Sequence, residues 1–239
     1  MGSDSVTPSQ ETMGVVGGDG PAYFPAFIDL RGKLCAVVGG GEVAARKVQS
    51  LLAAGARVRV VAPCVCDEMS ALLRRGEVAC ERRKYAAGDL EGSVLAFAAT
   101  DDAEVNAAVH RDASERGILV NVVDDPAHCT FIVPSQVVRG GVCIAISTQG
   151  QSPALARRLR EKVEAAVSPA YGELATLMGR LRAEVRKTIT SVENRSRRWE
   201  AVLDSDVLSL IEQHRLAEAE TLARSILGLP ANDGAAPGR

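Results

Sequence analysis

Four stretches of this 239-residue chain carry residue types at spacings that could do chemistry. In the first, Lys33 to Lys47 (KLCAVVGGGEVAARK), an apolar run of strand length stops at Gly39-Gly40-Gly41. It passes directly into Glu42-Val43-Ala44 and residues at helical spacing. Gly39, Gly41 and Ala44 fit G-x-G-x-x-G/A, with one glycine for the tight turn, one for close approach of a pyrophosphate and a small residue for helix-on-strand packing. This reads as a dinucleotide site whose phosphates sit on a helix N-terminus, where backbone N–H groups lack intrahelical partners. The second stretch is Asp124-Asp125-Pro126, just past an apolar run. A carboxylate beyond the end of a buried parallel strand can take a proton from a bound substrate, whereas Asp-Asp-Pro is also good turn chemistry, a role Asp125 could fill. The third is Thr100-Asp101, which follows another apolar run and can either contact a cofactor or cap the next helix. The fourth is His128, a metal ligand or proton carrier in one reading and a polar loop residue in the other. Cys64-x-Cys66 lacks a second pair at ligand spacing, so no metal site is expected.

These residues need a scaffold, and the pattern around them supplies one. Arg46 to Ala54 reads as an amphipathic helix closed by Gly55, and Arg57 to Pro63 as a second buried strand, completing a βαβ unit of roughly thirty residues. An acidic residue is expected about twenty positions after the glycines to hold the adenosine ribose. Val61, Ala62, Pro63 and Cys64 stand there instead, so ribose recognition falls to backbone groups such as those of Pro63 and Cys64 or to another segment, and NAD is not separated from NADP. Further along, Asp67–Arg75 reads as a helix, Val78–Glu81 and Ser93–Ala99 as strands, Ala103–Arg116 as a helix and Ile118–Val123 as a fifth strand. The aromatic lead-in Tyr23–Phe27 is expected to pack over the sheet edge.

After Asp125 the rhythm breaks. Thr130–Val138 and Val142–Ser147 flank Arg139-Gly140-Gly141, a hairpin signal, and Ser152-Pro153 caps a helix over Ala154–Val167. From Tyr171 to Leu227 the pattern is helical, interrupted near Ser191–Asn194 and at Asp204-Ser205.

Composition excludes several classes. A net charge of −2 gives no global reason to expect nucleic acid or membrane partners, and the longest apolar runs fall far short of a bilayer span. With 46% hydrophobic residues the chain can bury a substantial core. Residues 1–20 lack a secretory signal and read as a disordered extension, and six scattered cysteines point to reduced thiols in the cytoplasm. Between Arg157 and Arg198 eleven basic residues face five acidic ones, which suits an anionic ligand as well as a solvated helical face.

GGGEVAARK, AATDDAEVN, NVVDDP, TFIVPS and ISTQGQSPALARRLRE, in this order and at these spacings, resemble the precorrin-2 dehydrogenase/sirohydrochlorin ferrochelatase family, which includes the N-terminal module of bacterial sirohaem synthases. The match runs from about Tyr23 to Val167, with a looser helical continuation to Leu227. The resemblance implies an α/β fold: a Rossmann NAD(P)-binding domain (21–130), a small α+β dimerisation domain (131–168) and a helical C-terminal domain (169–228), between a disordered extension (1–20) and a disordered tail (229–239). It implies an obligate homodimer with clefts formed by both chains, and NAD as cofactor. The implied reaction is oxidation of precorrin-2 to sirohydrochlorin, with Fe²⁺ insertion as a second activity in bifunctional members. Asp124 matches the family's catalytic aspartate, and Thr148 the position of a serine near the active site. Asn121, Ser152, Arg157 and Arg158 fall in the matched blocks as substrate contacts, beside a plain turn hydroxyl as the alternative for Thr148. Some relatives continue into a methyltransferase domain. A chain ending at Arg239 leaves no room for one, so precorrin-2 is expected to be made elsewhere. The competing functions are a module that senses NAD without chemistry, which has no need of Asp124, and a 2-hydroxy-acid dehydrogenase, for which neither His110 nor His214 sits in a promising context. Iron against cobalt and the final product stay open.

Overall fold

A computed structural model describes residues 23–231. The extension expected over 1–20 and all but the first three residues of the expected tail lie outside that range. The chain divides into two compact units, one ending at Val133 and the other beginning at Pro134.

The first unit is built on a parallel sheet. Its strands are β1 (Leu34–Val38), β2 (Arg57–Val61), β3 (Ala79–Glu81), β4 (Leu95–Ala98) and β5 (Leu119–Val122), in the spatial order β3-β2-β1-β4-β5. β1 lies at the centre, with Val38 opposite Val61 on one side and Ala98 on the other, so these three strands end level at their C-terminal edge. The order reverses at β1, and in open α/β sheets ligands bind beyond the strand C-termini at such a switch point. Near-continuous apolar runs suit strands covered on both faces, and Cys35, Ala36, Val37 and Val38 are all buried.

One face is covered by α1 (Glu42–Ala53) and α2 (Asp67–Arg74), through Ala44, Ala45, Val48, Leu51, Met69 and Leu72. The other carries α3 (Ala103–Glu115), through Val109 and Ala113. No helix links β3 to β4. Leu90, fully buried, fills the core there, and its loop is held by Asp89, which accepts from both Arg83 terminal nitrogens (2.8 and 2.6 Å) and from the Ala86 amide (2.8 Å).

Three local expectations change in this unit. α1 begins at Glu42, one turn before Arg46, because the helix starts directly off the glycines. Of the Tyr23–Phe27 lead-in, Tyr23 is half-buried with its hydroxyl enclosed near Cys129, while Phe24 and Phe27 are 80% and 76% exposed. Thr130 exchanges hydrogen bonds with the Val120 backbone at the outer edge of β5. The hairpin's first strand accordingly starts later than Thr130, and Phe131 packs edge-on against Phe97 (5.4 Å between ring centres) as part of the first unit.

In the second unit β6 (Ser135–Arg139) and β7 (Val142–Ile146) pair antiparallel across Gly140-Gly141, with Arg139 opposite Val142. α4 (Pro153–Ala166) begins at the Ser152 cap and packs on the hairpin. α5 (Ala170–Thr188), α6 (Val192–Leu203), α7 (Val207–Glu212) and α8 (Leu216–Leu227) enclose a core of Leu174, Leu177, Leu181, Val185, Val202, Ile211, Ala223 and Leu227. The break between α7 and α8, where His214 takes a left-handed conformation (φ 60°), was not anticipated. Leu229, assigned to the tail, is buried: Gly228 turns left-handed (φ 68°) and returns Leu229 to the core, its amide bonded to the Arg224 carbonyl. Arg224 is itself buried, bridging Glu184 (2.9 and 3.0 Å) on α5 and Glu220 (3.1 Å) on its own helix. No helix among the described residues is long and apolar enough to cross a membrane.

Candidate active site

The β1–α1 turn is shaped by its neighbours. Gly39 has φ +125°, and a Cβ there would collide with the Ala99 carbonyl beyond β4. A Cβ on Gly40 would collide with the Cys64 carbonyl beyond β2, and the Gly40 carbonyl also accepts from the Cys66 amide at 2.8 Å. Gly41 differs. Its backbone is ordinary (φ −79°, ψ −177°), and a Cβ would meet nothing within 4 Å. Packing within the chain therefore does not require glycine at 41, and the space it leaves open lies at the α1 N-terminus. No side chain caps that helix. Its first-turn N–H groups and the positive end of its dipole face a cleft of about 510 Å³, an arrangement that suits phosphate.

Gly39, Gly40, Gly41, Glu42, Val43, Pro63, Cys64, Thr100 and Asp101 all line this cleft. Ala44 does not: it is fully buried against the sheet, so its small size serves helix packing rather than cofactor contact. The expected cap of α3 is also corrected. Asp102, not Thr100 or Asp101, accepts from the Glu104 and Val105 amides (3.0 and 3.2 Å). Thr100 instead braces the turn, donating to Asn106 Oδ1 at 2.8 Å while its carbonyl accepts from Asn106 Nδ2. Lys84 and Tyr85, which had carried no role, also line the cleft beside the end of β2. Their signal was topological: β3 pairs with β2, so residues just after β3 reach the same edge. Burial and the Asp112 carboxylate (2.6 Å) push the Tyr85 phenol well above its ordinary range, so it stays a protonated donor to Asp112.

At the end of β5 the two aspartates separate in role. Asp125 builds the turn: its carboxylate meets His128 Nδ1 at 2.6 Å, and its carbonyl accepts from the His128 amide and the Cys129 thiol. His128 is held further by His110, whose Nδ1 lies 2.9 Å from the His128 carbonyl and whose ring meets it edge-on. This fits the polar-loop reading of His128, and no cluster of three or more metal-binding side chains occurs among the described residues. Asp124 adopts a left-handed conformation (φ 59°), its side chain is exposed, and it makes no hydrogen bond among the described residues. Aspartate tolerates this conformation better than most residues, yet the conformation is uncommon and held only by its surroundings.

The residues assigned to substrate sit differently. Asn121 is half-buried and its amide donates to the Phe131 carbonyl at 3.0 Å, stitching the 129–131 segment to the sheet. Thr148, Ser152, Arg157 and Arg158 belong to the second unit. Thr148 Oγ1 donates to the Ser152 carbonyl and accepts from its amide (both 3.1 Å), closing a turn, while Ser152 Oγ caps α4 by accepting from Leu155 N. Arg157 is exposed on α4, and Arg158 pairs loosely with Glu161 at 3.7 Å.

A parallel sheet reversing at β1, an uncapped helix behind three glycines and a cleft at the strand ends define an NAD(P)-binding Rossmann protein. An NAD(P)-binding family model matches residues 26–135, one described as sirohaem biosynthesis protein central matches 139–166, and one described as the sirohaem synthase dimerisation region matches 170–227. The three models follow one another along the chain and together cover most of it, which places it among the sirohaem-biosynthesis proteins that they describe. It is 42% identical to the siroheme synthase of Photorhabdus laumondii over 198 residues, 83% of this chain and 42% of the relative. It is also 42% identical to that of Azotobacter vinelandii over 215 residues, 90% of this chain and 45% of the relative. The chain thus spans less than half the length of these relatives. Among solved structures it resembles SirC, a precorrin-2 dehydrogenase, with TM-score 0.69 and 27% identity, covering 83% of this chain and 98% of that one. The dimerisation-region match falls on the helices α5–α8, whereas the resemblance in sequence had assigned dimerisation to 131–168.

Proposed function

We propose that this chain oxidises precorrin-2 to sirohydrochlorin with NAD, Asp124 acting as the base. The observation that carries this reading is an exposed carboxylate with no hydrogen-bond partner among the described residues, held in a left-handed backbone at the end of β5. It stands on the same sheet edge as the α1 cradle, two strand spacings or about 10 Å away. NAD, when bound, accepts the hydride. The chain binds its pyrophosphate on the α1 amides, admits it at Gly41 and lines its path with Pro63, Cys64, Thr100 and Asp101. Two electrons and one proton leave precorrin-2 as hydride, a second proton passes to the Asp124 carboxylate, and sirohydrochlorin and NADH result. Asn121, Thr148, Ser152, Arg157 and Arg158 are the proposed substrate contacts, the arginines meeting the carboxylates of the tetrapyrrole.

Fe²⁺ is proposed as a second substrate, replacing two pyrrole protons of sirohydrochlorin. The working form is a homodimer, in the cytoplasm, where six scattered cysteines would stay reduced. For its domains we keep a Rossmann domain to about residue 130, a dimerisation segment over 131–168 and a helical segment over 169–228.

Asp124→Asn preserves size and tolerates the same backbone, so it should bind NAD normally and form NADH from precorrin-2 about a hundred- to ten-thousand-fold more slowly. The assay is anaerobic absorbance at fixed NAD, with Fe²⁺ insertion into supplied sirohydrochlorin measured separately. Near-normal dehydrogenation by Asp124→Asn would reject Asp124 as the base, whereas an unaltered protein that binds NAD and forms no NADH from precorrin-2 would favour a module that binds NAD without chemistry.

A further inference from the structure

Asp124 occupies the third position of a tight turn at the end of β5, in which the Asp125 amide donates to the Val122 carbonyl at 3.3 Å. Its φ of 59° is the left-handed conformation that such turns ordinarily give to Gly or Asn, so an aspartate keeps it only where its surroundings hold the turn closed. One sulfur reaches both ends of that turn. The Cys129 Sγ lies 3.2 Å from the Val122 amide, 3.2 Å from the Val122 carbonyl and 3.2 Å from the Asp125 carbonyl, and 3.4 Å from the Asn121 side-chain amide. It accepts from the two N–H groups and offers its single S–H to one carbonyl or the other. Burial pushes the Cys129 thiol above its ordinary range, so that proton is present at neutral pH. The sulfur is itself anchored. The Cys129 amide donates to the Pro126 carbonyl at 3.2 Å, and the next residue, Thr130, is bonded to the Val120 backbone through its amide and its hydroxyl, both at 2.8 Å. The Asp125–His128 pair, by contrast, secures the loop beyond the turn.

We propose that Cys129 is a positioning residue for dehydrogenation, its thiol fastening both ends of the Val122–Asp125 turn and so holding Asp124 in the left-handed conformation from which it takes the substrate proton. The inference rests on the assignment of Asp124 as the base. Val122 is the last residue of β5, and the Val123 amide donates to the Ala98 carbonyl on β4 at 2.9 Å, so the near end of the turn is fixed by the sheet. The sulfur carries that fixity across to Asp125. Without it the turn keeps one hydrogen bond of 3.3 Å between its ends, and Asp124 can relax out of a conformation that costs an aspartate free energy. A displacement of about 1 Å is enough to slow a proton transfer by as much as a hundredfold.

The test measures kcat and KM for precorrin-2 under anaerobic conditions, and NAD affinity by calorimetry, in Cys129→Ala, Cys129→Val and Cys129→Ser, each alone and combined with Asp124→Asn. Ala and Val remove the hydrogen bonds, Val without leaving a cavity, while Ser keeps a donor and an acceptor. Cys129→Ala and Cys129→Val should bind NAD normally, keep KM and lose about tenfold to hundredfold in kcat, the scale of a misplaced catalytic group. Cys129→Ser should recover most of that loss. In the Asp124→Asn background the same substitutions should cost nothing further, because the carboxylate they misplace is already gone. A loss of the same size in both backgrounds overturns the proposal, as does normal kcat in Ala and Val, an equal loss in all three variants, or a loss confined to KM or to NAD affinity. Failure of both Ala and Val to fold, read by circular dichroism, overturns it too, since the sulfur would then serve the fold at large. If Asp124→Asn alone is fully active, the assignment of Asp124 fails and the role of Cys129 with it. If Asp124→Asn is slow while Cys129→Ala is normal, only the role of Cys129 fails.

Discussion

At Gly39 a methyl group would sit on the Ala99 carbonyl oxygen with the backbone at φ +125°, so Gly39→Ala is expected to destabilise the first unit by about 2–5 kcal/mol, from strain plus overpacking. Gly41 is expected to behave oppositely. Its backbone is ordinary, its surroundings are open, and it is the N-cap of α1, where Asp is as good a cap as any and slightly better than Gly. Gly41→Asp should leave thermal stability unchanged or raised by a few tenths of a kcal/mol. It should nonetheless weaken NAD roughly hundredfold or more, because a carboxylate facing the pyrophosphate costs several kcal/mol. Calorimetry showing unaltered NAD affinity in Gly41→Asp would remove the phosphate cradle from the argument. Asp89 offers a separate check. The Arg83 guanidinium, helped by the Ala86 amide, holds its carboxyl below the ordinary carboxylate range. The sign follows: stability from the pair is complete above the unfolded value near pH 4 and is lost as pH falls through the lower folded value. Asp89→Asn should therefore cost about 1.5–3 kcal/mol at neutral pH, with the difference closing in acid, as read by urea unfolding at several pH values.

Among the elements, the contact between the hairpin turn and α5 is the most sharply defined. Gly172, in the first turn of α5, lies against the Arg139 carbonyl and Gly140, and a Cβ there would collide with that backbone. In an unconstrained helix Gly→Ala stabilises by about 1 kcal/mol. Here the sign should reverse, Gly172→Ala losing about 1–3 kcal/mol as the turn is forced off the helix. Trp199, the chain's single tryptophan, packs against the helical core of the same unit, so its fluorescence during urea unfolding reports that unit directly. A stabilised Gly172→Ala protein would mean that the turn is not seated there.

For the whole molecule, the proposed homodimer makes a prediction about a surface. One face of the hairpin carries Val137 and Ile144 inward, while the opposite face leaves Val138, 51% exposed, directly across from exposed Cys143. On α4, Leu155 and Leu159 are exposed as well. A two-stranded ribbon with an apolar outer face is marginal alone and seeks a partner surface. Sedimentation at micromolar concentration should show a dimer for the unaltered chain and a monomer for Val138→Asp, since an unpaired carboxylate does not tolerate a desolvated interface. A Val138→Asp protein that remains fully dimeric would move the interface elsewhere, with α5–α8, the segment matched by the dimerisation-region model, as the next place to probe.

The parallel sheet and its helices were legible in the sequence because each rests on local repetition: buried strands read as apolar runs, helices as periodic stripes, and Gly55, Gly117 and Ser152-Pro153 as stops and starts. The same locality made the glycine run readable as a tight strand-to-helix turn. What separates Gly39 and Gly40 from Gly41 was not readable. It depends on the Ala99 and Cys64 carbonyls, brought beside the turn by β4 and β2 from far along the chain. Tertiary packing also put Ala44 in the core, gave the α3 cap to Asp102, tied Asn121 to Phe131 and brought Lys84 and Tyr85 to the cleft. Nothing in the string Asp-Asp-Pro says which aspartate builds the turn. That is decided by His128 reaching Asp125, braced by His110 across the helix–strand contact, which leaves Asp124 exposed with its left-handed backbone. Pattern in a sequence records what each residue's neighbours along the chain demand, whereas a side chain's partners come from strands and helices distant in sequence, and these only the folded chain brings together.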